Sequence, residues 1–219
     1  MKIKAVGFDI DGTLYPNSSM YVYSTFAFLG HPVLFYHFGK ARKNIRRIKY
    51  SGDFRTVQAE LVAASMHRDV KRIAGMIDKG LYGSLDSVFK NVKPYKEVRP
   101  VLMSLRAEGI PLGAMSDLPI GRKLEYLNID DLFDFSFSSE ETNFLKPSPV
   151  PFKHLVKKFD LLPEEILYVG NNYEYDVLGA AAVGLRTAHL SKKPVPGSIA
   201  DFTFYTFTEL RDWIFSINN

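Results

Sequence analysis

The chain has 219 residues, 46% hydrophobic and 24% charged, with a formal net charge of +4 and no cysteine. That is an ordinary globular composition for one domain, or one domain with a smaller insert. The absence of cysteine excludes a disulfide framework, a thiol nucleophile and a cysteine-based zinc site. The opening "MKIKAVGFDID" meets acid before any signal-length apolar segment, so no secretory signal is expected and the cytoplasm is the expected location.

Charge is unevenly spread. Residues 15–93 hold 13 Lys/Arg against 5 Asp/Glu, whereas the rest is net acidic. Such a basic segment fits a solvated helix face or an anionic small substrate as well as nucleic acid, and no nucleic-acid partner is expected.

The first predicted element is a strand over 3–10, "IKAVGFDI", an apolar run that ends in two acids one residue apart. Strand side chains alternate with a period of two, so Asp9 and Asp11 point to one side and repel unless a cation lies between them. From about 16 to 93 no strand is predicted, but helical stretches stand at 53–66 and 68–82. Within that interval residues 12–39 carry no Asp, Glu, Lys or Arg, and six basic residues follow in 40–49. An apolar run with a positive flank invites a membrane reading. Gly30-His31-Pro32 interrupts it midway, so packed helices are expected and no membrane span. The aromatic-rich part at 21–38 suits core packing at least as well as a ring-bearing substrate.

After Pro94 the pattern alternates. Helix is predicted over 95–109, strand over 110–117 and 133–139, helix over 150–160, strand over 166–171 and helix over 174–184. Strands at 185–190 and 201–207 and a helix at 208–217 close the chain. This alternation predicts an α/β fold: a Rossmann-like, mainly parallel sheet flanked by helices, with an inserted helical domain. The expected division is 1–15 with 94–219 as the core and 16–93 as the insert.

In open α/β sheets ligands lie outside the carboxyl ends of the strands. The first strand delivers Asp9, Asp11, Gly12 and Thr13 there, and the second Ser116 and Asp117. The loop after the third carries Lys146 in "LKPSP", and the fourth brings Asn171 and Asp176 in "VGNNYEYD". Taken singly, Ser116-Asp117 also reads as a helix cap and Lys146 as an exposed side chain. The five histidines show no metal-ligand spacing, and neither a Walker loop nor a dinucleotide fingerprint is present.

In this order "DIDGT", "SD", "KPSP" and "VGN…D" resemble the four motifs of the haloacid dehalogenase superfamily, and the insert resembles its type 1 cap. The resemblance implies a Mg2+-dependent phosphatase of a small phosphorylated metabolite, acting as monomer or homodimer through an aspartyl-phosphate. Asp9 would be the nucleophile and Asp11 the general acid and base, with its pKa pushed up by neighbouring acids. Ser116 and Lys146 would hold the transferred phosphoryl, helped by Gly12, Thr13 and Asp117. Asp9, the Asp11 carbonyl and the first acid of the fourth motif would hold the metal. That acid is here Asn171, which brings an oxygen but no charge; Asp176 would compensate through a water or by moving inward. A phosphomutase shares these motifs, a dehalogenase would lack Asp11, and a binding protein that has lost turnover would suit Asn171.

Overall fold

The structure, a computed structural model, describes residues 2–19 and 30–219, Asp86 by its backbone alone. Residues 20–29, and with them part of the uncharged run and of the aromatic stretch, lie outside the described residues. All six predicted strands form: β1 (Ala5–Asp9), β2 (Leu112–Ser116), β3 (Phe135–Ser138), β4 (Ile166–Gly170), β5 (Arg186–Leu190) and β6 (Phe202–Phe204). They pair in parallel as one sheet in the order β3-β2-β1-β4-β5-β6. The main helices are α1 (Pro32–Ile45), α2 (Phe54–Met66), α3 (Val70–Met76), α4 (Gly83–Phe89), α5 (Val98–Ala107), α6 (Pro149–Phe159) and α7 (Phe207–Asn218).

Every residue of β1, β2 and β4 is buried, which continuous apolar runs require when both sheet faces are covered. Alternation sorts them between two clusters. Val6, Phe8, Leu167 and Val169 pack with Val98, Val101, Leu102 and Leu105 of α5 and with Leu210 and Ile214 of α7. Ala5, Met115, Ile166 and Tyr168 pack on the other face with Phe152 and Leu155 of α6. The last predicted strand is shortened to Phe202–Phe204 because Thr206 and Glu209 form a capping box that starts α7.

Between β1 and β2 the described residues form helices and no strand. They bury a cluster of their own: Leu34, Phe38 and Ala41 of α1, Ala59, Val62 and Ala63 of α2, and Ile73, Ile77 and Leu81. Asp53 caps α2 by accepting from the Thr56 N–H (2.9 Å), and Asp69 caps α3 through the Arg72 N–H (2.9 Å). The predicted helix at 68–82 divides, since α3 passes into a π-helical turn at Ile77–Tyr82 before α4. Among the described residues no helix is long and apolar enough to cross a membrane.

Strand order reverses at β1, whose neighbours are β2 on one side and β4 on the other. The crevice at such a reversal is where an open α/β sheet accepts a ligand, and Asp9 is the last residue of β1.

Candidate active site

Asp9 is 3% exposed, and both its oxygens are engaged. Lys146 Nζ donates to Oδ1 (2.6 Å), and the Thr13 hydroxyl donates to Oδ2 (2.7 Å). The same ammonium donates to Asp176 Oδ1 (2.6 Å) and to the Tyr168 hydroxyl (3.3 Å). Lys146 is therefore buried among oxygens, not an exposed loop side chain. One ammonium faces two carboxylates here. Burial pushes Asp9 up to about 7, against the opposing pull of Lys146 and with the repulsion of Asp176 and Asp11 added. Burial also disfavours a charged Lys146, yet Asp176 and Asp9 outweigh it and raise the ammonium well above the usual lysine range.

Asp176 reaches this cluster through local geometry. The predicted helix at 174–184 begins as a π-helical turn, Tyr173–Leu178, a form common at functional sites. Asn172 caps it through the Tyr175 N–H (2.9 Å). Asp176 Oδ2 accepts from the Asn172 N–H (2.9 Å), so both of its oxygens are taken. A Cβ on Gly170 would stand 2.3–2.5 Å from the Asp176 side chain, so glycine at the end of β4 is what admits the carboxylate.

Asp11 lies outside that cluster and is paired differently. The Tyr15 hydroxyl donates to Oδ1 (2.6 Å), the Ser116 hydroxyl to Oδ2, and Lys123 Nζ to both (2.9 and 3.0 Å). Burial works against ionisation, but the Lys123 charge and the hydrogen bonds from Ser116 and Tyr15 outweigh it and hold the carboxyl below its ordinary range. The expected upward push on Asp11 is thus reversed, because a lysine that the motifs do not include stands beside it. Ser116 donates to Asp11 and accepts from the Leu118 N–H (2.9 Å), a bond across a turn and not at the helix start its sequence suggested. The chain can leave β1 this sharply because Gly12 adopts φ +93, with the Asn17 side chain lying over it.

Asn171 Oδ1 accepts from the Thr13 hydroxyl (3.3 Å), which brings it near Asp9 Oδ2, and its backbone carbonyl contacts His189 Nε2 (3.2 Å). Among the described residues no three His, Cys, Asp or Glu side chains are grouped to hold a metal. The oxygens brought together there are Asp9 Oδ2 and Asn171 Oδ1, joined through the Thr13 hydroxyl. Oxygen donors beside a buried surplus of negative charge fit a hard cation such as Mg2+, with a single formal charge in the set.

Asp117, expected to help hold the phosphoryl group, has both carboxylate oxygens engaged within the protein. Its Oδ1 accepts from the Ser139 hydroxyl (2.6 Å) and the Lys146 N–H (3.1 Å), and its Oδ2 from Arg46 Nη2 (2.5 Å). Its carbonyl accepts from Arg42 Nη2. Arg46 also donates from Nε to the Lys146 carbonyl (2.8 Å) and lies 4.6 Å from the Tyr175 ring centre. Arg42 is buried and bonded to Gln58 and Glu140 as well. Tyr15, Arg42, Arg46, Lys123 and Tyr168 were not among the sequence candidates. Their only early signal was the basic run at 40–49 that holds the two arginines.

A cleft of about 610 Å³ opens beside Asn171, lined also by Gly12, Asn17, Tyr95, Lys192 and Tyr205.

Residues 3–184 match the haloacid dehalogenase-like hydrolase family. The glyceraldehyde 3-phosphate phosphatase of Methanopyrus kandleri is 27% identical over 217 residues, covering 87% of this chain and 84% of that one. A haloacid dehalogenase-type phosphatase from Thermococcus onnurineus superposes with a TM-score of 0.66 at 24% identity, covering 98% of both chains. The L-2-haloacid dehalogenase RSc1362 superposes with a TM-score of 0.70 at 20% identity, covering 98% of this chain and 99% of that one. At these identities the superpositions establish the fold.

Proposed function

The chain belongs to the haloacid dehalogenase-like hydrolases, and from that membership we propose that it is a phosphatase of small phosphate monoesters in which Asp9 becomes transiently phosphorylated. The observation that carries the reading is Asp11, two residues after the buried acid and ion-paired to Lys123 at 2.9 Å, because it supplies a proton-transfer group where a halide-displacing enzyme needs none. Similarity to a phosphatase of glyceraldehyde 3-phosphate supports it independently.

In this reading an Asp9 carboxylate oxygen forms a bond to phosphorus as the ester oxygen leaves. Lys146 holds Asp9 in place and offsets charge on the phosphoryl group. Water then attacks the phosphorus of the acyl phosphate, the bond from phosphorus to the Asp9 oxygen breaks to free the carboxylate and phosphate, and Asp11, ionised beside Lys123, accepts the water proton. The proton for the leaving alkoxide comes from Asp11 in its acid form, which requires Lys123 to draw back from it. Asp9, Asn171 and the Asp11 carbonyl would hold Mg2+, whose chemistry is to screen the carboxylate from the anionic phosphate. The described helices between β1 and β2 act as a cap over the strand ends.

Turnover of p-nitrophenyl phosphate in a Mg2+ series tests the reading. Activity is expected with Mg2+, and Asp9→Asn is expected to lower kcat by at least about a thousandfold. An Asp9→Asn protein that keeps its activity refutes the assignment.

A further inference from the structure

The cleft beside the candidate site is chemically lopsided. Its lining brings Asn171, which is joined to Asp9 through the Thr13 hydroxyl, together with Gly12, Asn17, Tyr95, Lys192 and Tyr205. Among its described lining residues Lys192 is the one cation and Glu97 the one acid. Glu97 is already employed, since its Oε2 accepts from the Phe207 N–H (3.3 Å) at the start of α7. Lys192 follows β5, and no ion pair engages it among the described residues. Its ammonium lies 5.3 Å from the Tyr205 ring centre. Tyr95 lines the same cleft, and its hydroxyl is shifted upward by burial and pulled back by the Lys192 charge.

We propose that Lys192 and the Tyr95 hydroxyl form an anion subsite, so that the preferred substrates carry a second anionic group, a carboxylate or a second phosphate, on the part that leaves. This deepens the phosphatase reading and rests on it. An ester whose phosphoryl group meets Asp9 has its leaving portion extending through the cleft toward Lys192. A cation outside any ion pair, beside a phenol hydroxyl, then offers a charge-assisted hydrogen bond to a second anion. An uncharged leaving group gains nothing from it.

The test compares kcat and KM for 2-phosphoglycolate, which adds a carboxylate, fructose 1,6-bisphosphate, which adds a phosphate, and glyceraldehyde 3-phosphate and p-nitrophenyl phosphate, which add neither. In Lys192→Gln, KM for the substrates with a second anion is expected to rise roughly tenfold, the worth of one charged hydrogen bond. Turnover of the two uncharged-leaving-group esters is expected to stay within about twofold, and Lys192→Arg to restore the preference. Lys193→Gln, at the adjacent exposed lysine outside the cleft lining, is expected to change neither group. Whichever of the two anionic substrates responds to Lys192→Gln identifies the kind of second anion. Equal losses on all four substrates, no loss on either anionic one, or an equal effect of Lys193→Gln overturns the subsite while leaving the phosphatase reading intact. A wild-type protein that hydrolyses none of the four overturns both.

Discussion

Lys146 is a single positive charge between Asp9 and Asp176, and that imbalance governs how individual residues matter. The surplus carboxylate in a buried place must be balanced by a proton or by a cation, which is why burial lifts Asp9 to about 7. Asn171 contributes an oxygen to this neighbourhood without adding charge. Asn171→Asp is therefore expected to tighten Mg2+ binding, lowering the half-saturating Mg2+ concentration about tenfold, since affinity for hard cations follows ligand charge. A Mg2+ titration of activity reads this directly, and an unmoved midpoint removes Asn171 from the metal set. Gly170 acts by being small. Its missing Cβ is the space Asp176 occupies, so Gly170→Ala is expected to push that carboxylate off Lys146. Overpacking of this kind costs about 1–3 kcal/mol, and kcat should fall by more than about tenfold as Lys146 loses a partner. Urea unfolding and steady-state kinetics measure the two effects; wild-type kcat in the Gly170→Ala protein contradicts the role given to Asp176.

The elements add what single residues cannot. Arg42 and Arg46 are four apart, at the end of α1 and just beyond it, and so share one helix face. That face places one guanidinium on the Asp117 carbonyl and the other on the Asp117 carboxylate, tying helices inserted after β1 to the loop that follows β2. Arg46→Ala is expected to cost about 2 kcal/mol, below the full value of a buried pair because both partners keep some contact with water. Chemical denaturation should show it, and Arg46→Lys should recover less than half, because a lysine cannot span Asp117 and the Lys146 carbonyl together. A fully rescued lysine variant would argue for charge alone. Legibility in sequence follows the same division of range. β1, β2 and β4 were readable because a strand buried on both faces declares itself in about five adjacent residues that are mostly apolar. The Asp9–Lys146 pairing was readable only through the motif resemblance, since 137 residues separate the partners. Arg46 read as a solvated basic flank because its partner Asp117 is 71 residues away and no local pattern marks it. Lys123 was missed for a like reason: it lies one short turn after β2, where nothing in "GRKLEY" shows that Asp11 is opposite.

Over the whole molecule, two kinds of connection hold the parts together. The inserted helices and the sheet each have an apolar cluster, and Ile45 and Phe54 of the insert share a further one with Leu145 of the loop after β3. Polar ties cross from the inserted helices to the strand ends beside that apolar contact: Arg42 and Arg46 on Asp117, Arg42 on Glu140, and the Phe54 N–H on Asn143 Oδ1 (3.0 Å). Polar ties depend on pH, and Asp117 gives that dependence its sign. Burial opposes its charge, but Lys146, Arg46 and Arg42 overcome this and hold it below the ordinary carboxylate range in the folded chain. The unfolded chain, with an ordinary Asp pKa of about 3.9, therefore binds this proton more readily than the folded one. The stabilisation from Asp117 is then complete above that value and is lost as pH falls through the lower folded value. Asp117→Asn should be less stable than wild type at pH 7 by about 2–4 kcal/mol, and so melt at a lower temperature, for a carboxylate removed from its guanidinium and ammonium partners. As pH drops below about 4 the wild type loses this advantage and the two melting temperatures converge. Thermal unfolding of both proteins across a pH series from neutral to strongly acid decides the matter. A gap of constant size through that range would mean that Asp117 joins the two parts by shape and not by charge.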